Sequence, residues 1–579
     1  MPGAADFIQK SVHAVEAGVI APWLRRALLV AAVVGLAVYH VYYFRGLATS
    51  QAMDQAQIGR EIASFHGWRT NVIRPRAVAQ LRGHGKPVAR YIQHDTFEAP
   101  LPPLVNSVGL FLVKSHWQMT PHDLIYIGDK VIAIESIAFF LLSLLVLFFL
   151  ARRLFDERLA YLACAFVLLC HLLWQYGLSG LPQMLMLFIF NCTLYALVRA
   201  IEARNAERPL DAWLAAVGAG FGLLALAHAL TLWMFGAALP FFVFYFRPRL
   251  RSLGIVLGVV ALMYAPWLLR NFVLTGNPCG VAWYSVLNGI GGHSEAEVMR
   301  HMATDLGGAG PQAFRDKIIS NFTGQIAGLF GNFGLSIVAL AFFVSLLHPF
   351  RSREAATLRW MLLVMWVGAL LGMCVYGVDT EQEVAANQLH VLFLPIMSCF
   401  GLAWLLVQWN RLAFSQPLAR AGFLAGLYVL CALPMIFNLP LFASPDRPQI
   451  RWPPYLPPYI AVLNKWMQPN EIVASDMPWA IAWYANRRGL WLPETVQKFT
   501  ELNDSRVLGG PVNGLYLTPI SGSDNKLRDI IRGEYKDWAQ LILRTADVEK
   551  LPLTWATLLG LENECIFLSD HDRSAATKQ

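Results

Sequence analysis

The sequence predicts a polytopic α-helical membrane protein of about 11 transmembrane helices, with a small α/β unit at its C-terminal end. Three observations predict it. The 579 residues are 56% hydrophobic and 15% charged, with a mean hydropathy of +0.46, whereas soluble domains are about 45–50% apolar and about 25% charged. The excess lies in apolar runs of roughly 17–24 residues, the length that crosses a ~30 Å hydrocarbon core. The arginines fall between those runs, and among the short connections they lie on one side only. The net charge of +8 therefore serves topology and gives no reason to expect a nucleic-acid partner.

At the N-terminus, Phe7, Ile8, Val12, Val15 and Val19 recur at helical spacing, as in a helix on a membrane surface. Arg25 and Arg26 precede the first apolar run, which ends in the tyrosine-rich edge YHVYYFRG. Its length and that interfacial edge point to a retained helix and not a cleaved leader. Candidate spans follow at roughly 27–44, 131–151, 159–175, 182–202, 211–228, 229–246, 252–270, 327–348, 358–377, 389–408 and 420–442. Fourteen arginines occupy five connections, at 152–158, 199–208, 247–251, 351–359 and 411–420, and the short connections near 176–181, 229 and 378–388 carry none. By the positive-inside rule the arginine face and the N-terminus are cytoplasmic. An odd number of spans puts the C-terminal end on the other face, the periplasm if the membrane is a bacterial inner membrane.

This divides the chain into an interfacial segment at 1–26, a membrane body at 27–442 with large outer loops at 45–130 and 271–326, and a soluble outer unit at 443–579. In the last, EIVASDMPWAIAWYANRRGLWLP reads as strand, short helix and strand, and NGLYLTPI as another strand. The eight cysteines include no CxxC pair; six lie in apolar runs, and Cys279 and Cys565 could pair if both face an oxidising compartment.

The first outer loop is too long for a connection, and loops of that size are usually functional. It carries Asp54 near its start, in QAMDQAQIGREIASFHGW, and then His94, Asp95 and Glu98 in HDTFEAPLPP. Asp54 can be read as the cap of the helix that follows it or as a site carboxylate, and the two roles are compatible. Asp95 and Glu98 can be ordinary loop acids, Arg270 an interfacial anchor, and His228 a packed residue. Asp379, Glu381 and Glu383 read as a solvated run.

Several stretches together resemble one family. MDQAQIGREIASFHGW, TFEAPLPPL, ARRLFDERLAYLACAFVLL and YAPWLLRNFVLTGNP, with a looser echo in LHVLFLP, are similar in order and placement to the GT-C superfamily of membrane glycosyltransferases. The protein mannosyltransferase and aminoarabinose transferase branch is the nearest. The resemblance implies a GT-C fold and inverting transfer of a sugar from a polyprenyl-phosphate donor to a protein, lipid or glycan acceptor at the outer face. It implies that Asp54 is the general base, or else binds a metal or orients the acceptor. A divalent metal held by Asp54 and a second acid is one option. Arg69, Arg74, Arg76 and Arg270 are candidates for the donor phosphate, Asp95 and Glu98 for the substrate, and His390 for the carrier. Two positions depart from the family pattern. Ala99 stands where a lysine follows the Phe-Glu pair, and LSGLPQML offers Gly180 and Gln183 but no second acid before the fourth helix. These departures motivate an alternative, a GT-C-like scaffold without chemistry. A transporter is a third reading, and its paired midplane polar residues are scarce here apart from Glu135.

Overall fold

The computed structural model describes residues 44–573 apart from 48, 121–122, 124, 304–309, 379–383, 412–416, 438–456, 522–526, 547–550 and 558–564, together with scattered positions between 23 and 38. Apart from those positions, the expected segment 1–26 and first span 27–44 lie outside the described residues, as do Asp379, Glu381 and Glu383.

Helix α1 (Ser50–Ala63) opens at Thr49, whose extended backbone and side-chain oxygen, accepting from Ala52 N–H at 3.2 Å, satisfy a first-turn amide. Asp54 is thus inside the helix, and Thr49 is the cap; the capping reading of Asp54 is corrected here. The helix stops where Phe65 turns left-handed at φ 66°. Strand β1 (Val72–Ile73) follows, and then α2 (Leu101–Leu112), whose Pro102 and Pro103 sit in the first turn, where no N–H is needed. α2 lies close across α1 at Gly59, where a Cβ would come within 3.0 Å of the Pro103 carbonyl. Its opposite face leaves Leu104, Val108, Phe111 and Leu112 exposed.

The helices of the membrane body are α3 (Ile127–Leu154), α4 (Glu157–Leu168), α5 (His171–Ser179), α6 (Gln183–Asn205), α7 (Asp211–Ala227), α8 (Thr231–Phe244), α9 (Arg249–Thr275), α10 (Pro311–Ala327), α11 (Ile337–Ser345), α12 (Arg353–Tyr376), α13 (His390–Arg411) and α14 (Pro417–Phe437). Among the described residues five of these, α3, α6, α9, α12 and α13, are long and apolar enough to cross a membrane. The pair α4–α5, bent by 61°, makes a sixth if counted as one span. α7, α8 and the apolar part of α14 occupy expected positions but are shorter. The full-length span expected at 327–348 is not there. That stretch holds the short helix Leu329–Asn332 and then α11, separated by Gly334 and Leu335, both at positive φ. Glycines at 328, 331 and 334 weaken the helix and permit the turn.

The arginine-rich ends of these helices come together. Arg153 at the end of α3 donates to Glu202 near the end of α6. Asn205, at that same end, donates to Glu354 in the first turn of α12 at 2.9 Å. Arg251 in α9 pairs with Asp211 at the start of α7. The start of α3 and the end of α9 therefore lie at the opposite end of the bundle, where the first loop sits.

On that end residues 457–573 fold into helices and strands β2 (Ile472–Ser475), β3 (Arg488–Trp491), β4 (Val512–Leu517), β5 (Trp555–Ala556) and β6 (Ile566–Ser569). The sheet order is β1-β3-β2-β4-β6-β5. The first four run parallel in space; β6 and β5 pair antiparallel. The strand, helix and strand read in EIVASDMPWAIAWYANRRGLWLP are β2, the turn Pro478–Ala480 and β3. The sheet, however, is not built from the C-terminal residues alone: β1 of the first loop is its edge, with Val72 opposite Gly489 and Ile73 opposite Leu490. No disulfide joins the eight cysteines; Cys279 is exposed and Cys565 buried, so the Cys279–Cys565 pairing is not made.

Candidate active site

Three carboxylates and one guanidinium meet beneath the sheet, all buried: Asp54, Asp95, Glu98 and Arg74. α1 supplies Asp54, whose Oδ1 accepts from Gln57 Nε2 at 3.0 Å and whose Oδ2 pairs with Arg74 Nη2. Arg74 follows directly on the end of β1 and lies over the Phe97 ring, with its Cζ 4.1 Å from the centroid. The turn at 95–98 supplies the other two acids. Asp95 accepts from Glu98 N–H at 3.0 Å and from Phe97 N–H at 3.4 Å, which closes the turn that points Glu98 at α1. There Gln51 and Gln55, one helical turn apart, both donate to Glu98 Oε2, at 3.2 and 2.9 Å. Gln57 also reaches Thr70 at 2.8 Å and accepts from Asn71 N–H, binding α1 to the approach to β1.

The electrostatics follow from burial. Burial, with the charge of Asp54, raises Asp95 to about 6 against the opposing pull of Arg74 and Arg270. Burial likewise pushes Glu98 well above the ordinary carboxylate range, helped by Asp54 and Asp95. Burial alone would lower Arg74, but Asp54, Asp95 and Glu98 outweigh it and leave it raised. Arg74 is thus held as a cation at the centre of three acids. Several buried atoms here, Gln55 Oε1, Glu98 Oε1, Arg74 Nε and Trp68 Nε1, have no protein partner; these are polar groups a substrate could satisfy.

The other expected site residues are distributed differently. Arg270, near the end of α9, donates to the carbonyls of Asp95 at 2.8 Å and Trp68 at 3.2 Å and lies over Trp267. It braces the turn at 95–98 while remaining half-buried. Arg69 is exposed, its backbone bridged to His94. Arg76 is fully buried away from the acids, donating to the carbonyls of Val298 and Ala303 against Tyr284. His390 is buried at the start of α13, taking the Trp366 indole N–H at 2.9 Å on Nδ1 and facing Gln325 at 3.1 Å. Its contacts are with α10 and α12, not with the acid cluster. His228 ends α7, its Nδ1 accepting from Leu230 N–H. Gln183, where a second acid was sought, donates its amide to the Ala386 carbonyl at 2.6 Å. Among the described residues no group of three or more His, Cys, Asp or Glu side chains is placed to hold a metal ion.

Sequence reasoning missed Gln51, Gln55 and Gln57. The signal was present as three glutamines within two turns of one short helix. It also missed Asp129, which sits buried at the first turn of α3, hidden at the edge of an apolar run.

The model of the dolichyl-phosphate-mannose-protein mannosyltransferase family matches residues 122–269. Over nearly the whole chain the fold is similar to that of ArnT from Cupriavidus metallidurans bound to undecaprenyl phosphate, with a TM-score of 0.53, 14% identity, and 94% of this chain and 98% of that one covered. The chain thus resembles that family over those residues and shares its fold with this structure. A second likeness in fold is to the oligosaccharyltransferase of Archaeoglobus fulgidus in its apo form, with a TM-score of 0.53, 13% identity, and coverage of 90% and 72%. No curated protein sequence matches the chain.

Proposed function

We propose that this protein transfers a sugar from a polyprenyl-phosphate donor to an acceptor hydroxyl or amide, with inversion, and that Asp54 is the general base. The observation that carries the reading is the buried Asp54–Arg74 pair, set among two further acids at the end of the bundle opposite the arginine-rich one. Asp54 takes the proton from the acceptor, the acceptor atom bonds to the anomeric carbon, and the bond from that carbon to the phosphate oxygen breaks. The electron pair leaves with the polyprenyl phosphate. A phosphate is a good leaving group, so no covalent enzyme intermediate is needed, and a positioned carboxylate contributes about 10²–10⁴-fold. Arg74 pairs with Asp54 Oδ2 and holds the carboxylate in place. Arg69 and Arg270 supply positive charge for the departing phosphate. An outer-face reaction in a bacterial inner membrane, with the C-terminal residues in the periplasm, completes the reading; the similar fold of a protein solved with undecaprenyl phosphate supports the donor class.

Three observations favour the scaffold alternative. Both oxygens of Asp54 are already engaged, Ala99 offers no cation, and the amide of Gln183 is spent on a backbone carbonyl. A single experiment separates the two readings. Purified protein in nanodiscs is given a panel of undecaprenyl-phosphate-linked monosaccharides, and release of undecaprenyl phosphate is measured for wild type, Asp54→Asn and Asp54→Glu. The enzyme reading expects turnover that falls by roughly 10²-fold or more in Asp54→Asn. No release above the protein-free blank from folded wild type would favour the scaffold, and equal release above that blank from wild type and folded Asp54→Asn would overturn Asp54 as the base.

A further inference from the structure

Asp54 and Arg74 are both tied, from two sides, to one contiguous stretch more than four hundred residues further along the chain. On the α1 side, Arg60 lies on the same helix as Asp54. It donates to the Trp483 carbonyl at 2.7 Å, to the Ala482 carbonyl at 2.6 Å and to Asn486 Oδ1 at 3.0 Å, with its guanidinium 5.0 Å from the Trp483 ring. Those carbonyls belong to a single wide turn, Ile481–Ala485, with π-helical hydrogen bonding, closed by Asn486 in the left-handed region at φ 51°. Such turns expose carbonyls that a regular helix would consume, and they recur at functional positions.

The side chains of the same turn reach the membrane body. Trp483 Nε1 donates to Asp129 Oδ1 at 2.6 Å and Tyr484 OH donates to Asp129 Oδ2 at 3.0 Å. All three residues are buried. The fit is close. At Gly128 a Cβ would stand 2.7 Å from the Trp483 ring, and at Gly46, φ +115°, it would stand 2.8 Å from Asp129 Oδ2. The Trp483–Tyr484 turn is therefore wedged between α1 and the first turn of α3.

On the Arg74 side, β3 begins three residues after this turn. It pairs with β1, and Gly489 N–H donates to the Asn71 carbonyl at 2.8 Å. β1 is two residues long and ends at Ile73, directly before Arg74, so its pairing with β3 sets where the guanidinium starts. Gly489 is pressed on the Pro478 carbonyl, 2.6 Å from where a Cβ would be, which locks β3 against the start of the same stretch.

We propose that residues 478–491 are the positioning device of the active site: the Trp483–Tyr484 turn fixes the helix carrying Asp54, and β3 fixes the strand that delivers Arg74. Arg60, Asp129, Trp483 and Tyr484 are positioning residues, acting through α1 on Asp54. The inference rests on the reading of Asp54 and Arg74 as the reacting site. Its consequence is that the C-terminal unit is part of the site, so that loosening it lowers the rate of the chemical step more than donor binding. Misplacing a reacting group by about 1 Å costs about 10²-fold.

The test uses the full-length protein in nanodiscs with Arg60→Lys, Trp483→Phe and Tyr484→Phe. Arg60→Lys keeps the charge and loses the fork that spans the two carbonyls. Trp483→Phe keeps a ring and loses the donor to Asp129. Tyr484→Phe removes one oxygen only and serves if the others fail to fold. Amide hydrogen exchange is read in α1 and β1, with β2 and β4 as controls, and kcat and KM are measured with an undecaprenyl-phosphate-linked sugar that the wild type turns over. Expected is exchange about tenfold faster or more in α1, β2 and β4 unchanged, and kcat down about 10–100-fold with KM for the donor nearly constant. Unchanged exchange in α1 in folded variants would overturn the proposal. So would faster exchange with kcat intact, which would make the latch structural only. If the wild type turns over none of these donors, the functional reading fails separately; the positioning claim is then decided by exchange alone, supported by loosening of α1 in the Trp483→Phe protein and overturned if α1 stays protected.

Discussion

Asp95 and Glu98 show how much a single buried carboxyl depends on what faces it. Glu98 is the acceptor for the amides of buried Gln55 and half-buried Gln51. A Glu98→Gln substitution keeps an acceptor oxygen of the same reach, whereas Glu98→Ala leaves both amides unpaired. A buried unsatisfied group costs about 1–3 kcal/mol, so Glu98→Ala is expected to melt well below Glu98→Gln in thermal unfolding, and equal melting would show that the two amides find other partners. Asp95 carries a pH signature. Its folded value is raised to about 6 from an ordinary 3.8, first by burial. Between about pH 4 and pH 6 the folded state therefore holds a proton that the unfolded chain has released. This contribution to stability is present in acid and is lost as pH rises through that window, on the order of 2–3 kcal/mol in all. The Asp95→Asn protein lacks it, so the gap between wild type and variant should shift in the variant's favour from pH 4 to pH 6.5. A pH-independent gap would show that Asp95 titrates normally.

α1 is the element on which the site is built, and its start is set by one hydroxyl. Removing the Thr49 cap with Thr49→Ala is expected to cost about 1 kcal/mol and to speed exchange at the Ala52 amide; no change at that amide would mean the cap is dispensable. This start was misread in the sequence because Thr49 and Asp54 are both good caps five residues apart, and only the backbone shows which one is extended. The apolar runs located the membrane helices well, since a span must be apolar whatever it packs on. They failed at 327–348, where apolar side chains masked three glycines that break the helix. The acids and arginines of the site could be picked out by residue type, but their grouping could not. Asp54, Arg74 and Glu98 come together through a turn closed by backbone N–H bonds to Asp95 and through a two-residue strand, and neither leaves a pattern in composition. The pairing of β1 with β3 joins residues more than four hundred positions apart, beyond the reach of any local rule.

At the scale of the whole molecule, the two ends of the helix bundle differ in kind. Arg153, Asn205, Arg251 and their acidic partners gather the ends of α3 and α6 with the starts of α7, α9 and α12. The sheet, the acid cluster and the end of α9 occupy the other end. If the positive-inside rule orients the chain, the arginine end faces the cytoplasm and the site faces out. Thiol labelling can read this almost without engineering. Of the described cysteines only Cys279 is exposed; it lies just past the end of α9, and its neighbour Gly280 accepts from Gln80 of the first loop. In intact cells a membrane-impermeant maleimide is expected to label the wild type at Cys279 and to leave a Cys279→Ser protein unlabelled. In that background Asp504→Cys, on the exposed side of the C-terminal unit, should label from outside. Arg249→Cys and Arg353→Cys, both exposed at the arginine end, should label only after the membrane is opened. Labelling of Arg249→Cys or Arg353→Cys in intact cells, with Asp504→Cys protected, would invert the chain. A site reached from inside would then have to take its donor from the cytoplasmic leaflet, and the outer-face transfer proposed for Asp54 would fall while the fold and the acid cluster stood.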